Sequence, residues 1–167
     1  HAGMAAEGVD GVKVDNQASL VYLAAGSGGR PKLFKAMRDA LERSVGRHFG
    51  GALITCMAHA PEVWYHARTT NLSRGSADFY PNIPETHGWH VYINAMNGVW
   101  FGHFTWLDWD MFQSTNPFGP YHAAARAVCR NSVASTTKSC PRSRSSAYTP
   151  CLPNARTPVR VISSMSS

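Results

Sequence analysis

Four short apolar runs, separated by stretches of helical period, constrain this chain more than any other feature. They lie in GVDGVKVDNQ (residues 8–17), GALITCMAH (51–59), NLSRGSADFYP (71–81) and VWFGHFTWL (99–107). Their β-branched and aromatic content favours strands. Between the first two runs, PKLFKAMRDALERSVGRHF carries Leu33, Met37, Leu41 and Val45 at helical spacing, with Pro31 suited to the first turn. ETHGWHVYINAMNG and YHAAARAV also read as helices, while Pro61 sits in a loop ahead of the third strand. Strands interleaved with helices predict an α/β fold with parallel strands. The Gly-rich GSGGR is no phosphate loop, because it lacks the GK[ST] ending and does not directly follow a strand.

Charge divides the chain in two. The formal charge of +6 would suit a nucleic-acid partner, but residues 1–128 hold ten Lys/Arg against all ten acids and are neutral. The excess belongs to Arg130, Lys138, Arg142, Arg144, Arg156 and Arg160, in a stretch without a single acid. That stretch, 129–167, is rich in Ser, Thr, Pro and Arg, with no helical or strand period before TPVRVI. It buries too little apolar surface to offset ordering entropy, so it is expected to be mostly disordered. Its charge alone supports only non-specific contact with phosphate backbones, so no specific nucleic-acid partner is expected. Cys129, Cys140 and Cys151 fall there, with Cys56 alone in the body. No CxxC pair offers a zinc site, and no secretion leader supports a disulfide framework. No apolar run approaches a membrane span. Residues 1–128 and 129–167 are the expected domain division.

Within GVDGVKVDNQ, alternation puts Val12 and Val14 on one face and Lys13 and Asp15 on the other. A half-buried surface strand explains this as apolar-in, polar-out. A carboxylate held at the C-terminal end of a barrel strand explains it equally well. Asp78, Asp108 and Asp110 also fall near predicted strand ends. Two carboxylates across a pocket are what glycosidic-bond chemistry needs, one attacking and one protonating the leaving oxygen. Asp also ends strands as a helix cap, and pattern alone leaves both readings open.

GVDGVKVDNQ, ITCMAH, SRGSADFYP and above all LDWDMFQS followed by PYHAAARAV resemble the raffinose synthase and seed imbibition group of plants and algae. That group includes alkaline α-galactosidases and belongs to glycoside hydrolase family 36. The resemblance covers roughly residues 8–128. It implies a fragment of a longer (β/α)8 barrel, from about the fourth strand to the seventh, with no cofactor or metal. Galactinol, sucrose and raffinose are the implied small-molecule partners, and the cytoplasm or plastid the implied location.

The family's motifs map onto individual residues. The Asp closing KVD, Asp15, is the implied nucleophile, and Asp78 in RGSADF the implied general acid/base. Lys13 and Arg74 are implied to hold galactose hydroxyls, and Asp110 in DWDM to line the galactose pocket. Trp109 and Trp106 offer a sugar-stacking face or core packing, and Asp108 a further acid or a cap. Lys13, two residues from Asp15 on the same face, would favour the ionised carboxylate by on the order of 2 kcal/mol. Asp78 must instead hold its proton until the leaving group departs, and its neighbours Ala77 and Phe79 carry no charge. Double displacement with retention places the two carboxyls about 5 Å apart.

Three departures limit the resemblance. Ala77 stands where the family has a first Asp, Leu107 stands where it has Pro, and after Val128 the family's apolar strand gives way to CRNSVASTTKSCPRS. A shifted reading frame or retained intron would produce such a break, as would a divergent terminus. An α-galactosyl enzyme is the expectation for the intact protein, with hydrolysis favoured over transfer to sucrose. The alternative is an inactive fragment or a carbohydrate-binding remnant.

Overall fold

A computed structural model describes residues 1–69, 72–110 and 112–129, with the backbone alone of 132–133, 147–148 and 159–163. In order the elements are α1 (Ala2–Ala6), β1 (Gly11–Val14), a 3-10 turn (Gln17–Leu23), α2 (Arg30–Phe49), β2 (Leu53–Thr55) and α3 (Pro61–Tyr65). There follow β3 (Leu72–Arg74), α4 (Pro84–Phe101), β4 (Trp106–Asp108), α5 (Gly119–Val128), β5 (Ser132–Val133), β6 (Ala147–Tyr148) and β7 (Val159–Ser163). The protein is α/β with parallel strands. Its contacts divide it into two compact units, His1–Asn71 with Arg160–Ser167, and Leu72–Val159.

In the first unit, β1 and β2 pair in parallel with Val12 opposite Leu53 and Val14 opposite Thr55. The helix joining them, α2, starts with Pro at its N-terminal turn and stops at Gly50, whose φ of 59° is a left-handed cap. Val9, Val12, Val45, Phe49 and Leu53 form one core between helix and strands. Phe34, Ala58, Ala60 and Val63 form another. The buried face of α2 is not the expected Leu33–Met37–Leu41–Val45 stripe. It runs Phe34, Arg38, Glu42, Val45 and Phe49, with Met37 47% exposed. The period is right, but the helix is rotated because Arg38 and Glu42 go inside together, at Nε–Oε1 3.0 Å. Glu42 also accepts the backbone amides of Arg68 and Thr69, both at 3.1 Å. A buried ion pair needs such extra bonds to survive desolvation.

In the second unit, β3 pairs with β4 in parallel, and β4 with β5. The predicted strand VWFGHFTWL forms only in part: α4 continues through Phe101, a turn follows, and the strand is Trp106–Asp108. The segment after Pro61, expected as loop, begins with α3, for which Pro61 supplies the first position. Most of 129–167 lies outside the described residues, Cys140 and Cys151 included. Within that stretch Val159–Ser163, part of the TPVRVI run, pairs in parallel with β1.

Among the described residues, three that are not glycine have positive φ, each two positions beyond a strand: Asn16 (55°) after β1, Met57 (44°) after β2 and Asp110 (63°) after β4. Left-handed backbone at such residues costs about 1–3 kcal/mol and gathers at functional sites. In parallel β/α proteins, the ends of the strands where these residues lie carry the chemistry.

Candidate functional site

The second unit builds a charged cluster from the ends of β3 and β4. Their register sets Arg74 directly opposite Asp108, at the last position of each strand. β3 ends at Arg74, so the chain turns and brings Asp78 back onto it. Each nitrogen of the buried Arg74 guanidinium then serves a different carboxylate. Nη1 donates to Asp78 Oδ1 at 2.5 Å, Nε to Asp108 Oδ2 at 3.3 Å, and Nη2 reaches Asp110 Oδ1 at 2.8 Å. The Asp110 amide donates to Asp108 Oδ1 at 3.0 Å, which holds the residue in its left-handed conformation.

One cation among three carboxylates leaves a deficit of positive charge, and Asp110 shows the effect. Burial pushes its carboxyl up to about 6, against the pull of Arg74, with the charges of Asp78 and Asp108 adding to the rise. Asp110 shares the Arg74 guanidinium with the Asp78 carboxyl, each on its own terminal nitrogen. A carboxyl raised this far takes up and releases its proton near pH 6. Arg126 on α5 supplies a second cation, attracted by Asp108 and Asp110 and lowered by burial to about 10.

Asp78 departs from its expected environment. Its side chain is 67% exposed and ion-paired with Arg74, not set in an uncharged, desolvated spot. Its sequence neighbours are apolar, but the turn after β3 makes a residue four positions away its nearest partner. Trp109 offers no sugar-stacking face in this unit: it is 1% exposed, and the Arg126 guanidinium sits 5.6 Å from its ring centroid. Trp106 opens β4, at the end away from the cluster.

Lys13 and Asp15 belong to the first unit, at the end of β1. Both are half-buried, and Asp15 Oδ1 accepts the Asn16 amide at 2.7 Å. Behind them, Arg38 Nη1 donates to Gln17 Oε1 (3.1 Å) and Gln17 Nε2 donates to the Val14 carbonyl (2.9 Å). The buried pair on α2 thereby braces the turn that carries Asp15.

Sequence reasoning missed the polar support around Arg74. His87, His90, Asn94 and Asn97 recur along α4 at helical spacing, and the first three are buried. Arg126 Nη1 donates to His122 Nδ1 at 3.0 Å, which leaves the His122 proton on Nε2, aimed at His87 Nδ1 at 2.8 Å. Polar residues repeating with the helix period were the available signal. Among the described residues, no group of three His, Cys, Asp or Glu is placed to hold a metal ion. Nor is any helix among them long and apolar enough to cross a membrane.

Parallel strands joined by helices, with strained residues and a carboxylate cluster beyond strand C-termini, define a parallel α/β protein. Comparison with known proteins makes the class specific. The chain belongs to the raffinose synthase or seed imbibition protein Sip1 family, whose pattern it matches over residues 1–139. A probable galactinol–sucrose galactosyltransferase of Arabidopsis thaliana is 47% identical over 129 residues, 77% of this chain and 17% of the relative. The galactinol–sucrose galactosyltransferase of Pisum sativum is 38% identical over 138 residues, again 77% of this chain and 17% of the relative. Stachyose synthase of Pisum sativum is 32% identical over 139 residues, 77% of this chain and 16% of the relative. The family is thus one of enzymes acting on raffinose-family sugars, and the chain spans about a sixth of these relatives' length.

Proposed function

We propose that the intact protein is a retaining α-galactosyl enzyme, of which this chain is the segment carrying both catalytic carboxylates. Asp15 attacks the anomeric carbon of a galactoside such as galactinol. Asp78 gives its proton to the departing oxygen, then takes one from the incoming hydroxyl. The observation that carries this reading is the Arg74 cluster, which holds Asp78 on the same guanidinium as Asp110, a carboxyl raised to about 6. Asp110 is then a reservoir next to the acid/base as well as a wall of the sugar pocket. Lys13 and the polar edge of Arg74 take galactose hydroxyls, while Trp109 supports the cluster from the core side.

The covalent galactosyl intermediate can pass its sugar to water or to another sugar. The sequence pointed to hydrolysis, but the relatives' names are those of transferases, so we favour sucrose as acceptor. Transfer requires that water be kept from the intermediate. The test uses a full-length enzyme in which residues 8–128 replace the matching stretch of the Arabidopsis relative, supplied with galactinol and sucrose. Raffinose should dominate; a majority of free galactose would return the reading to hydrolysis. Asp15→Asn should abolish turnover, and Asp15→Gly should recover part of it with azide as external nucleophile. Wild-type rates in the Asn variant would overturn the nucleophile. The same assay on the 167-residue chain decides whether the segment alone is an inactive remnant.

A further inference from the structure

One face of α4 grips the turn after β3 residue by residue. Asn97 Nδ2 donates to the Gly75 carbonyl at 2.6 Å, and Asn94 Nδ2 donates to Ser76 Oγ at 2.8 Å. Gly75 is required there, because a Cβ at that position would overlap Asn94 Oδ1. One turn earlier on the same face, His90 does something the asparagines do not. Its Nδ1 lies 3.0 Å from Ser76 Oγ and 2.9 Å from the Ala77 carbonyl, while its Nε2 lies 2.8 Å from the Trp109 carbonyl. The ring therefore touches the residue before Asp78 and the residue before Asp110 at once.

A carbonyl faces each ring nitrogen. A neutral imidazole has one donor and one acceptor. With the proton on Nε2, His90 donates to Trp109 and Nδ1 accepts the Ser76 hydroxyl, whose oxygen takes the Asn94 amide; with the proton on Nδ1, His90 donates to the Ala77 carbonyl, which the Ser76 hydroxyl also reaches at 2.8 Å. The Nε2–H tautomer hydrogen-bonds to both turns, and in either tautomer the ring lies against both. Burial lowers the His90 pKa against the pull of the Ala77 and Trp109 carbonyls, with Arg126 and Arg74 adding to the fall. Arg126 Nη2 donates to the same Trp109 carbonyl at 2.7 Å, so this point of the β4 turn is held from two helices.

We propose that His90 is a positioning residue, which sets the separation of the Asp78 and Asp110 carboxyls by tying the turn after β3 to the turn after β4. Its role in turnover rests on the assignment of Asp78 and Asp110 above. The tie itself does not. A misplacement of about 1 Å between reacting groups costs on the order of 100-fold in rate.

Two variants separate positioning from packing. His90→Phe keeps the ring volume and removes both hydrogen bonds. His90→Gln restores a donor and an acceptor at a spacing close to that of the imidazole nitrogens. Amide hydrogen exchange on the 167-residue chain should quicken about tenfold or more in the turns after β3 and β4 of His90→Phe, and return toward wild type in His90→Gln. Acceleration spread evenly over α4, α5 and the strands would make His90 a packing residue and overturn the proposal. So would unchanged turns. In the full-length chimeric enzyme, normalised to active sites, kcat should fall about 100-fold in the Phe variant with KM within about threefold, and recover in the Gln variant. The alkaline limb of its rate profile should also move to lower pH as the Asp78–Asp110 pair separates, with Arg74, Asp108 and Arg126 the other charges facing that pair. Loosened turns with unchanged kcat would establish the tie and overturn the catalytic assignment of the two carboxyls.

Discussion

Replacing Asp110 by Asn tests the electrostatics of the cluster with a sign that cannot be arranged by packing. The carboxyl of Asp110 is raised from 3.8 to about 6 in the folded protein, chiefly by burial. Between those values the folded state binds a proton that the unfolded state has released. Stability from this group is therefore full below about pH 4, falls as pH rises, and is lost above about pH 6. At about 1.4 kcal/mol per pH unit, the rise corresponds to about 3 kcal/mol. The amide of Asp110→Asn mimics the neutral carboxyl and leaves Arg74 with Asp78 and Asp108, so the variant should not feel this loss. His122 pulls the other way. Burial, then Arg126, His90 and His87, lower it to about 4, so its contribution is present above pH 6.5 and lost as pH falls. That slope is common to both proteins and cancels in their difference. Urea unfolding from about pH 3.5 to 7.5 should show Asp110→Asn gaining about 3 kcal/mol on the wild type across the range. With urea slopes of about 1–3 kcal/mol per molar, the midpoint difference moves by roughly 1–3 M. A difference that stays flat would mean that Asp110 titrates alike in both states. A difference of opposite sign would mean that the Arg74 attraction outweighs burial.

Asp78→Ala in the full-length enzyme should harm galactosides with poor leaving groups far more than activated aryl galactosides, and equal losses would assign Asp78 to binding instead of proton transfer. Arg74→Met should destabilise the chain by about 3–5 kcal/mol at pH 7, because three carboxylates lose their shared cation, and the loss should shrink toward pH 4; a loss independent of pH would point to packing. Glu42→Gln should cost about 3–5 kcal/mol and loosen the turn carrying Asp15, since Arg38 would be left buried without its charge; a loss under about 1 kcal/mol would show that the ion pair is not needed for α2 to pack.

Element order and type were legible in local pattern, because apolar runs and helical periods are properties of neighbouring residues. GVKV, LIT, the α2 stretch and YHAAARAV carry their periods on their face, and the strands and helices they predict do form. The C-terminal part of α4 was not legible, since Val99, Trp100 and Phe101 suit a strand by composition and become helix by continuing α4. The family was also in the sequence, in KVD, RGSADF and DWDMFQS with YHAAARAV, as short words that need no third dimension. What the tertiary structure decided was which charges meet. Arg38 and Glu42 enter the core as a pair, so the buried face of α2 shifts by a residue. Asp78 has apolar neighbours along the chain, yet it rests on Arg74 because β3 stops there. Asp110 is raised by burial beside Arg74, an environment that its place in DWDM does not show. Desolvation and charge depend on distances through space, and no period along the chain encodes them.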